Sequence, residues 1–462
     1  MRLVSTLLRR ATLAAALLAG AIALPLHAQA AADASRPKVV VISLDAFGAK
    51  SLHDPLLPAF TLKALMKRGA YAVSMTPINP TITWPNHTAM VTGVDASRHH
   101  VLVNGLVMGQ RAGAPPHIEM WVPKSRMVAA PAIYDVAHKA GLVTAEVDWV
   151  AIKDARGIDW SFFENPDPDG PIARDLIDQG VVSRDELAHF HDASSQAWRD
   201  LVYTRAAVDI IRKHHPDLLL LHLLSLDSIE HETGYGNDAG RNTIAFLDDR
   251  VQEVIDAVRD AGDHDRTTFL IVSDHGQRSL HHWLHADVLL MQAGLQDAAA
   301  EHPSYSIPEG GFALVYQKHA SVASIRRLKG LFAGQPGIAA TLTPAEAARQ
   351  GWPTPAQTNQ APDLLLYAAA GYAFDDDKGD GKDFVTATPE RGAHGYPNTD
   401  PLMQAIFIAA GHGIRPVGEI PAFPNVDIAP TIARLLHVSM GDIQGKPLTD
   451  ILAADRGTKA TH

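Results

Sequence analysis

The chain has 462 residues, 46% hydrophobic and 20% charged, enough for a large core and more than one minimal domain needs. Its net charge of −11, from 51 acids against 40 bases, argues against a general nucleic-acid-binding surface and leaves room for a local basic cleft. Cysteine is absent and histidine numbers 24, so disulfides and thiolate metal sites are excluded and any metal must be held by nitrogen and oxygen.

In chain order, residues 1–30 read first, as a secretory signal peptide. Arg2, Arg9 and Arg10 form its basic start, "ATLAAALLAGAIALPL" its apolar core, and Ala28 and Ala30 an Ala-x-Ala end. The apolar run is short for a membrane span, and no later stretch offers about 20 unbroken apolar residues. The expectation is a periplasmic or secreted bacterial protein without stable membrane insertion. Residues 37–454 read as one domain and 455–462 as a flexible tail.

After residue 36, "PKVVVISLDAFG" carries a nearly unbroken β-branched run from Val39 to Leu44 that ends in Asp45. Such a run suits a strand buried on both faces of a parallel sheet. "PDLLLLHLLSLD" ends likewise in Asp227, and "TTFLIVSDHG" runs into Asp274 and His275. "LMQAIFIAAG" is a fourth apolar strand. Helical patterns lie at 196–214 and 245–262, and an Asn/Asp-bounded helix begins in 425–436. This alternation predicts an α/β sheet with helices on both faces. Pro-, Trp- and Gly-rich segments near 112–171 and 286–388 have weaker periodicity. They read as insertions packed over the active face, not as separate folding units. "FDDDKGDGKD" (374–383) reads as a solvated acidic turn, since its spacing departs from a calcium loop and no bidentate Glu closes it.

In open α/β sheets, ligands sit at the carboxyl ends of the strands. Asp45, Asp227 and Asp274 fall there. One such Asp is usually a cap, but three of them, two with a nearby His, point to metal. Asp227 and His231 stand at i and i+4, which share a face if the turn becomes helical. Asp274 and His275 are adjacent. His394 lies between Gly392 and Gly395 in "RGAHGYPN". Singly, each His reads as a hydrogen-bonded loop residue. Together, three Asp and three His suit a centre of two divalent ions, zinc first by ligand type, with manganese and iron left open. Two metals about 4 Å apart are the usual device of phosphoryl transfer, and they need a nucleophile from a nearby loop. "NPTITWPNHTAMVTG" (79–93) reads locally as a loop entering a helix, with a Thr or Asn as cap.

"VVVISLDAFG", "PTITWPNHTAMVTG", "LDSIEH", "VSDHG" and "GAHGYPN" occur in this order across residues 39–398. They resemble the metal-binding segments of the alkaline phosphatase superfamily, in its nucleotide pyrophosphatase/phosphodiesterase branch. The resemblance implies a central mixed, largely parallel sheet, two zinc ions, and a Thr or Ser nucleophile that becomes phosphorylated or nucleotidylated. It matches Thr83 to the nucleophile, with Trp84 where the family pattern has Phe. Asp45, Asp274 and His275 match the ligands of the zinc that activates Thr83. Asp227, His231 and His394 match those of the other zinc. Asn104 matches an asparagine that hydrogen-bonds a phosphoryl oxygen, or else is a turn residue before Gly105. Glu230 stands where the family often has Gly, a departure that keeps the ligand spacing.

The implied enzyme is an exported two-zinc hydrolase of phosphodiester or pyrophosphate bonds in small nucleotide-type substrates. Phosphomonoesters and phosphonates are the alternatives. A non-catalytic zinc-bearing binding protein is the alternative of another class, and it would have no use for Thr83. Some related monoesterases place a Lys-x-Arg pair near the site; Lys153 with Arg156 fall in about that region with a different spacing, and Lys124 with Arg126 have the spacing but lie earlier, and solvated surface charge is the other reading of each pair. Trp84, Trp121 and Trp149 are candidates to wall a nucleobase, or else core aromatics. Neither a nucleic acid duplex nor an obligate protein partner is expected.

Overall fold

The structure, a computed structural model, describes residues 36–454 apart from 193, 298 and 376–380. The signal peptide expected over 1–30, the tail over 455–462 and the middle of the acidic turn lie outside the described residues.

Eight strands make the central sheet: β1 (Lys38–Leu44), β2 (Ala70–Ala72), β3 (Thr144–Val147), β4 (Trp160–Phe162), β5 (Leu218–Leu223), β6 (Thr267–Val272), β7 (Phe407–Gly411) and β8 (Gly418–Ile420). Their spatial order is β8-β2-β7-β6-β1-β5-β3-β4. β1 sits centrally, with Val41 paired to Leu220 on one side and Leu270 on the other. β1, β5 and β6 are buried along their whole length, which is why they read as unbroken apolar runs.

β7 alone runs antiparallel to its neighbours; the other pairings are parallel. The fourth apolar strand is therefore present but reversed. Its starting end lies at the carboxyl edge of the parallel strands, so the segment leading into it, which carries His394, reaches that edge. An apolar run has no direction of its own, so periodicity cannot reveal this.

The principal helices are α1 (Phe60–Arg68), α2 (Thr83–Thr92), α3 (Gln196–His214), α4 (Ser225–Thr233), α5 (Asp238–Asp260) and α6 (Ile428–Leu435). Alternate residues of the strands feed opposite faces. Val40, Ile42, Leu219, Leu221 and Ile271 pack on Leu62 of α1, Ile210 of α3, and Leu247 and Val251 of α5. Val39, Val41, Leu218, Leu220 and Leu270 pack on Met90 of α2 and on Ile428 and Ile432 of α6. α3 spans the residues its periodicity predicts, starting where Ser195 accepts the Trp198 N–H. α5 begins upstream of its expected start because Asn237 caps it there, accepting from Gly240. No helix among the described residues is long and apolar enough to cross a membrane.

The segment 286–388 holds more regular structure than its weak periodicity suggests. Ser304–Glu309, Phe312–Gln317, Leu364–Ala368 and Ile338–Leu342 form a four-stranded antiparallel sheet in that order. Gly371–Phe374, Arg278–Leu284 and Val385–Ala393 form a three-stranded one. One face of the four-stranded sheet, with Ile307, Phe312 and Leu314, packs on Ile78, Ile82 and Val103 around the start of α2. Its other face, with Ala313, Val315 and Leu366, packs on Leu280, Leu290 and Phe332. Apolar cover on both faces explains the missing alternation of polar residues. The same contact seats this sheet against the start of α2, where Thr83 lies.

Candidate active site

At the carboxyl edge, Asp45 follows β1 directly and Asp274 follows β6 after Ser273. Asp274 Oδ1 accepts from the N–H groups of Ala46 at 3.2 Å and His275 at 3.0 Å, and from the Ser273 hydroxyl at 3.3 Å. Its Oδ2 is thereby turned to His275 Nε2, 3.1 Å away. Asp45 Oδ2 lies 2.9 Å from His222 Nε2, and Asp45 Oδ1 lies 3.5 Å from His275 Nε2. His275 Nδ1 is 3.1 Å from the Gly276 carbonyl, so the ring proton sits on Nδ1 and the Nε2 lone pair faces the carboxylates. Asp45 Oδ1 and Asp274 Oδ2 are buried without a hydrogen-bond partner. Two anionic oxygens and a nitrogen lone pair converging without a donor are what a divalent cation satisfies.

The second triad is built differently. β5 ends at Leu223, so Asp227 stands in the first turn of α4 rather than on the strand, and His231 follows it on the same helical face. α4 starts here because the Asp200 carboxylate of α3 accepts the N–H groups of Leu224 at 3.0 Å and Ser225 at 2.8 Å. His394 comes from the loop after Val385–Ala393. Asp227 Oδ1 lies 3.2 Å from His231 Nε2 and 3.6 Å from His394 Nε2. His231 Nδ1 is 2.8 Å from the Gly392 carbonyl, which again leaves Nε2 for a ligand. In each triad the potential ligand atoms lie within 4.8 Å of one another. The His275 and His394 rings stack at 4.0 Å, so the triads abut.

The charges are strained as they stand. Burial pushes the Asp45 carboxyl well up, and the nearby charges of Asp274 and Asp227 add to it. Burial opposes ionisation of Asp227 too, but His231 and His394 beside it hold its carboxyl below the usual range. Against the effect of burial, Asp227 lifts His231 to about 9. Burial, then His275, pushes His394 well down. Bound cations relieve the crowding of carboxylates.

Thr83 opens α2, and its Oγ1 lies 3.4 Å from His275 Nε2. The expected Thr or Asn cap is absent. Ile82 occupies that position without a side-chain bond. Asn86 Nδ2 instead donates back to Pro80 O and Ile82 O, both at 2.9 Å. The hydroxyls of Thr81, Thr88 and Thr92 donate to the carbonyls of Tyr396, Trp84 and Thr88, which gives each a structural partner. Asn104 Oδ1 accepts the Trp84 N–H at 3.0 Å, which orients the amide and leaves Nδ2 to donate.

Of the three aromatics expected to wall a nucleobase or to be core, Trp84 is 3% exposed and packed with Val101, Val122, Met127 and Val150. Trp149 is buried too, its ring 4.8 Å from His87 and edge-on. Trp121 is half-buried and donates to Glu164 at 3.0 Å. Of the basic residues, Lys124 pairs with Asp135 and lies 4.7 Å from the Tyr134 ring centre. Arg126 lies 3.9 Å from Glu119, Arg156 is exposed and Lys153 half-buried.

Sequence reasoning missed His222, Asp148 and His87. Burial holds His222 and His87 down to about 3, so both rings are neutral. The available signal for His222 was one histidine interrupting the leucine run of β5.

The profile of the family described as type I phosphodiesterase / nucleotide pyrophosphatase matches residues 39–397. Human ectonucleotide pyrophosphatase/phosphodiesterase family member 1 is 23% identical over 420 residues, covering 89% of this chain and 41% of that protein. The chain thus spans less than half the length of the family member 1 proteins of human, mouse and rat. Human family member 7 is 23% identical over 410 residues, 87% of this chain and 81% of that protein. The solved structure of murine ectonucleotide pyrophosphatase / phosphodiesterase 5, an inactive variant in complex with AMP, aligns with a TM-score of 0.69 at 18% identity. It covers 90% of this chain and 100% of that one, and shows the same fold.

Proposed function

Because the chain belongs to the type I phosphodiesterase / nucleotide pyrophosphatase family, we propose that it hydrolyses phosphodiester or pyrophosphate bonds in small nucleotide-type substrates. Thr83 is the nucleophile, and the two triads hold two divalent ions, zinc by ligand type. One observation carries the reading. Two carboxylate–histidine triads, one with unpartnered carboxylate oxygens, converge beside a single threonine hydroxyl. The AMP held by the murine relative supports a nucleotide-type substrate. Export rests on the leader-like residues 1–30.

Bound ions would lower the pKa of a nearby hydroxyl and offset phosphoryl charge. Thr83 Oγ1 attacks phosphorus in line with the leaving oxygen. The phosphorus–leaving group bond breaks, and the phosphoryl or nucleotidyl group stays on Thr83. Water then attacks the same phosphorus and frees the threonine. Asn104 Nδ2 donates to a phosphoryl oxygen as charge builds there. The Thr83 N–H at the start of α2 adds to it, since the Trp84 N–H is taken by Asn104 and Pro85 has none. Because His275 Nε2, a ligand atom of the buried triad, lies 3.4 Å from Thr83 Oγ1, an ion held there would stand beside the hydroxyl, whose proton leaves to solvent as the oxygen attacks. Lys124, bound to Asp135, gives no support to the monoester alternative.

The test compares bis-p-nitrophenyl phosphate and the p-nitrophenyl ester of thymidine monophosphate with p-nitrophenyl phosphate. Turnover of the two diesters should exceed that of the monoester, vanish with a chelator and return with zinc. Thr83→Ala should lower it by on the order of 10³-fold or more. Chelator-insensitive turnover, or a Thr83→Ala protein working at the wild-type rate, overturns the reading.

A further inference from the structure

The two carboxylates of the buried triad are held by different means. Asp274 takes its orientation from backbone and hydroxyl donors adjacent to it in the fold. The hydrogen bond to Asp45 comes instead from one ring, His222, at 2.9 Å. His222 has no exposed surface. Its far nitrogen, Nδ1, lies 3.1 Å from the Asp148 carbonyl and 3.4 Å from Asp148 Oδ2. Asp148 is itself fully buried, just past β3, with a φ of 56°. The His87 ring lies 4.2 Å from that of His222 and is backed by Trp149. The imidazole is thus clamped at both nitrogens and on one face, and its one contact at Nε2 is a candidate metal ligand.

We propose that His222 is a positioning residue: its Nε2–H holds Asp45 Oδ2 so that Oδ1 is presented to the ion shared with Asp274 and His275. The proposal rests on the two-metal reading above. A carboxylate that grips a cation only accepts, so the single proton of the neutral ring belongs to Nε2, and Nδ1 accepts from the Asp148 carboxyl 3.4 Å away, which burial raises well above the usual carboxylate range and so keeps protonated. Asp148, on the other nitrogen, sets the ring's rotation. A side chain that filled the same space without an N–H at that point would leave Asp45 Oδ2 buried and unpaired and free the carboxylate to turn away from the ion.

Two amides separate this role from packing. The side-chain nitrogen of Gln reaches where Nε2 lies, whereas that of Asn reaches only as far as Nδ1. The full chain, stripped with a chelator, is titrated with Zn²⁺ against a chromogenic competitor to resolve two stepwise affinities. In His222→Asn, one affinity should weaken by about 10–100-fold and the other stay within about twofold, while His222→Gln keeps both within about threefold. With Co²⁺ in place of Zn²⁺, the visible spectrum of one ion should change in the Asn variant and not in the Gln variant. In diester turnover, kcat should fall in the Asn variant with KM unchanged. Equal losses in the two variants would make His222 a packing residue, and no loss in either would give it no role; both overturn the proposal. Wild-type protein that takes up no divalent ion would instead overturn the two-metal reading itself.

Discussion

The two triads share a ligand chemistry and differ in how the chain holds them. Asp45, Asp274 and His275 are fully buried at the ends of β1 and β6, and backbone donors, one hydroxyl and His222 fix their carboxylates. Asp227, His231 and His394 are half-buried on a helix and on a loop from outside the central sheet. The His394 loop is pinned by Gly311 N–H to His394 O at 2.7 Å and by Gly395 N–H to Thr81 O at 3.0 Å. Gly395 sits at φ +90°, and a Cβ there would stand 2.6 Å from the Glu309 carbonyl, so only glycine lets the two backbones approach. The buried triad is thus organised by the core of the fold, and the open one depends on how the 286–388 sheet is seated. Thr83, the proposed nucleophile, lies against the rigid half, which would keep the most demanding geometry where the least can move.

The largest expected effect sets a ligand of each triad against the other. Asp274→Ala and His231→Ala should both lower diester turnover by on the order of 10³-fold or more. Asp274→Ala should also unfold early in metal-free calorimetry, because the buried N–H groups of Ala46 and His275 lose their acceptor. For His231→Ala the metal-free melting temperature should fall by less, because the Asp227–His231 pair that it breaks is partly exposed. Equal destabilisation by the two variants would erase the distinction drawn between rigid and open halves.

A smaller loss is expected on the nucleophile side. Asn104→Ala should lower kcat by about 10²–10³-fold while both ions remain bound, as for the loss of one oxyanion donor. Metal analysis alongside kinetics reads both quantities, and a variant short of one ion would place Asn104 in metal support instead.

The smallest effect concerns the buried acids behind the closed triad. Glu146 of β3 is 1% exposed, lies near enough to Asp148 to raise its carboxyl, and is itself raised by burial from 4.5 to about 7. The folded value exceeds the unfolded one, so the stability from this group is fully present below about pH 4.5 and lost as pH rises through about 7. Compared with Glu146→Gln, the wild type should lose at most about 3 kcal/mol between about pH 5 and 9 in denaturant unfolding. Parallel curves would mean that the buried ground behind the closed triad is no drier than the open side.

Much of the site could be read from the sequence because its chemistry is written locally. Asp227 and His231 are spaced for one helical face, Asp274 and His275 are neighbours, and Asp45 ends an apolar run. The structure assembles these, with His394, into two groups of three. The burial of Trp84 was not legible, because a large aromatic in a loop motif looks the same in sequence whether it is exposed or packed in an apolar cluster. The four-stranded sheet within 286–388 was obscured by apolar cover on both of its faces.

By itself, then, the sequence determined the α/β class and the metal-suited residue types, and the resemblance of its ordered motifs put Thr83 forward among four threonines. Those follow from periodicity, spacing and motif order, which belong to single segments. Only the tertiary structure decided that β7 runs backwards, that one triad is closed and the other open, and that His222 grips Asp45 across 177 residues of chain. Strand direction, burial and hydrogen-bond partnership belong to pairs of segments, and no segment carries a record of what it will be packed against.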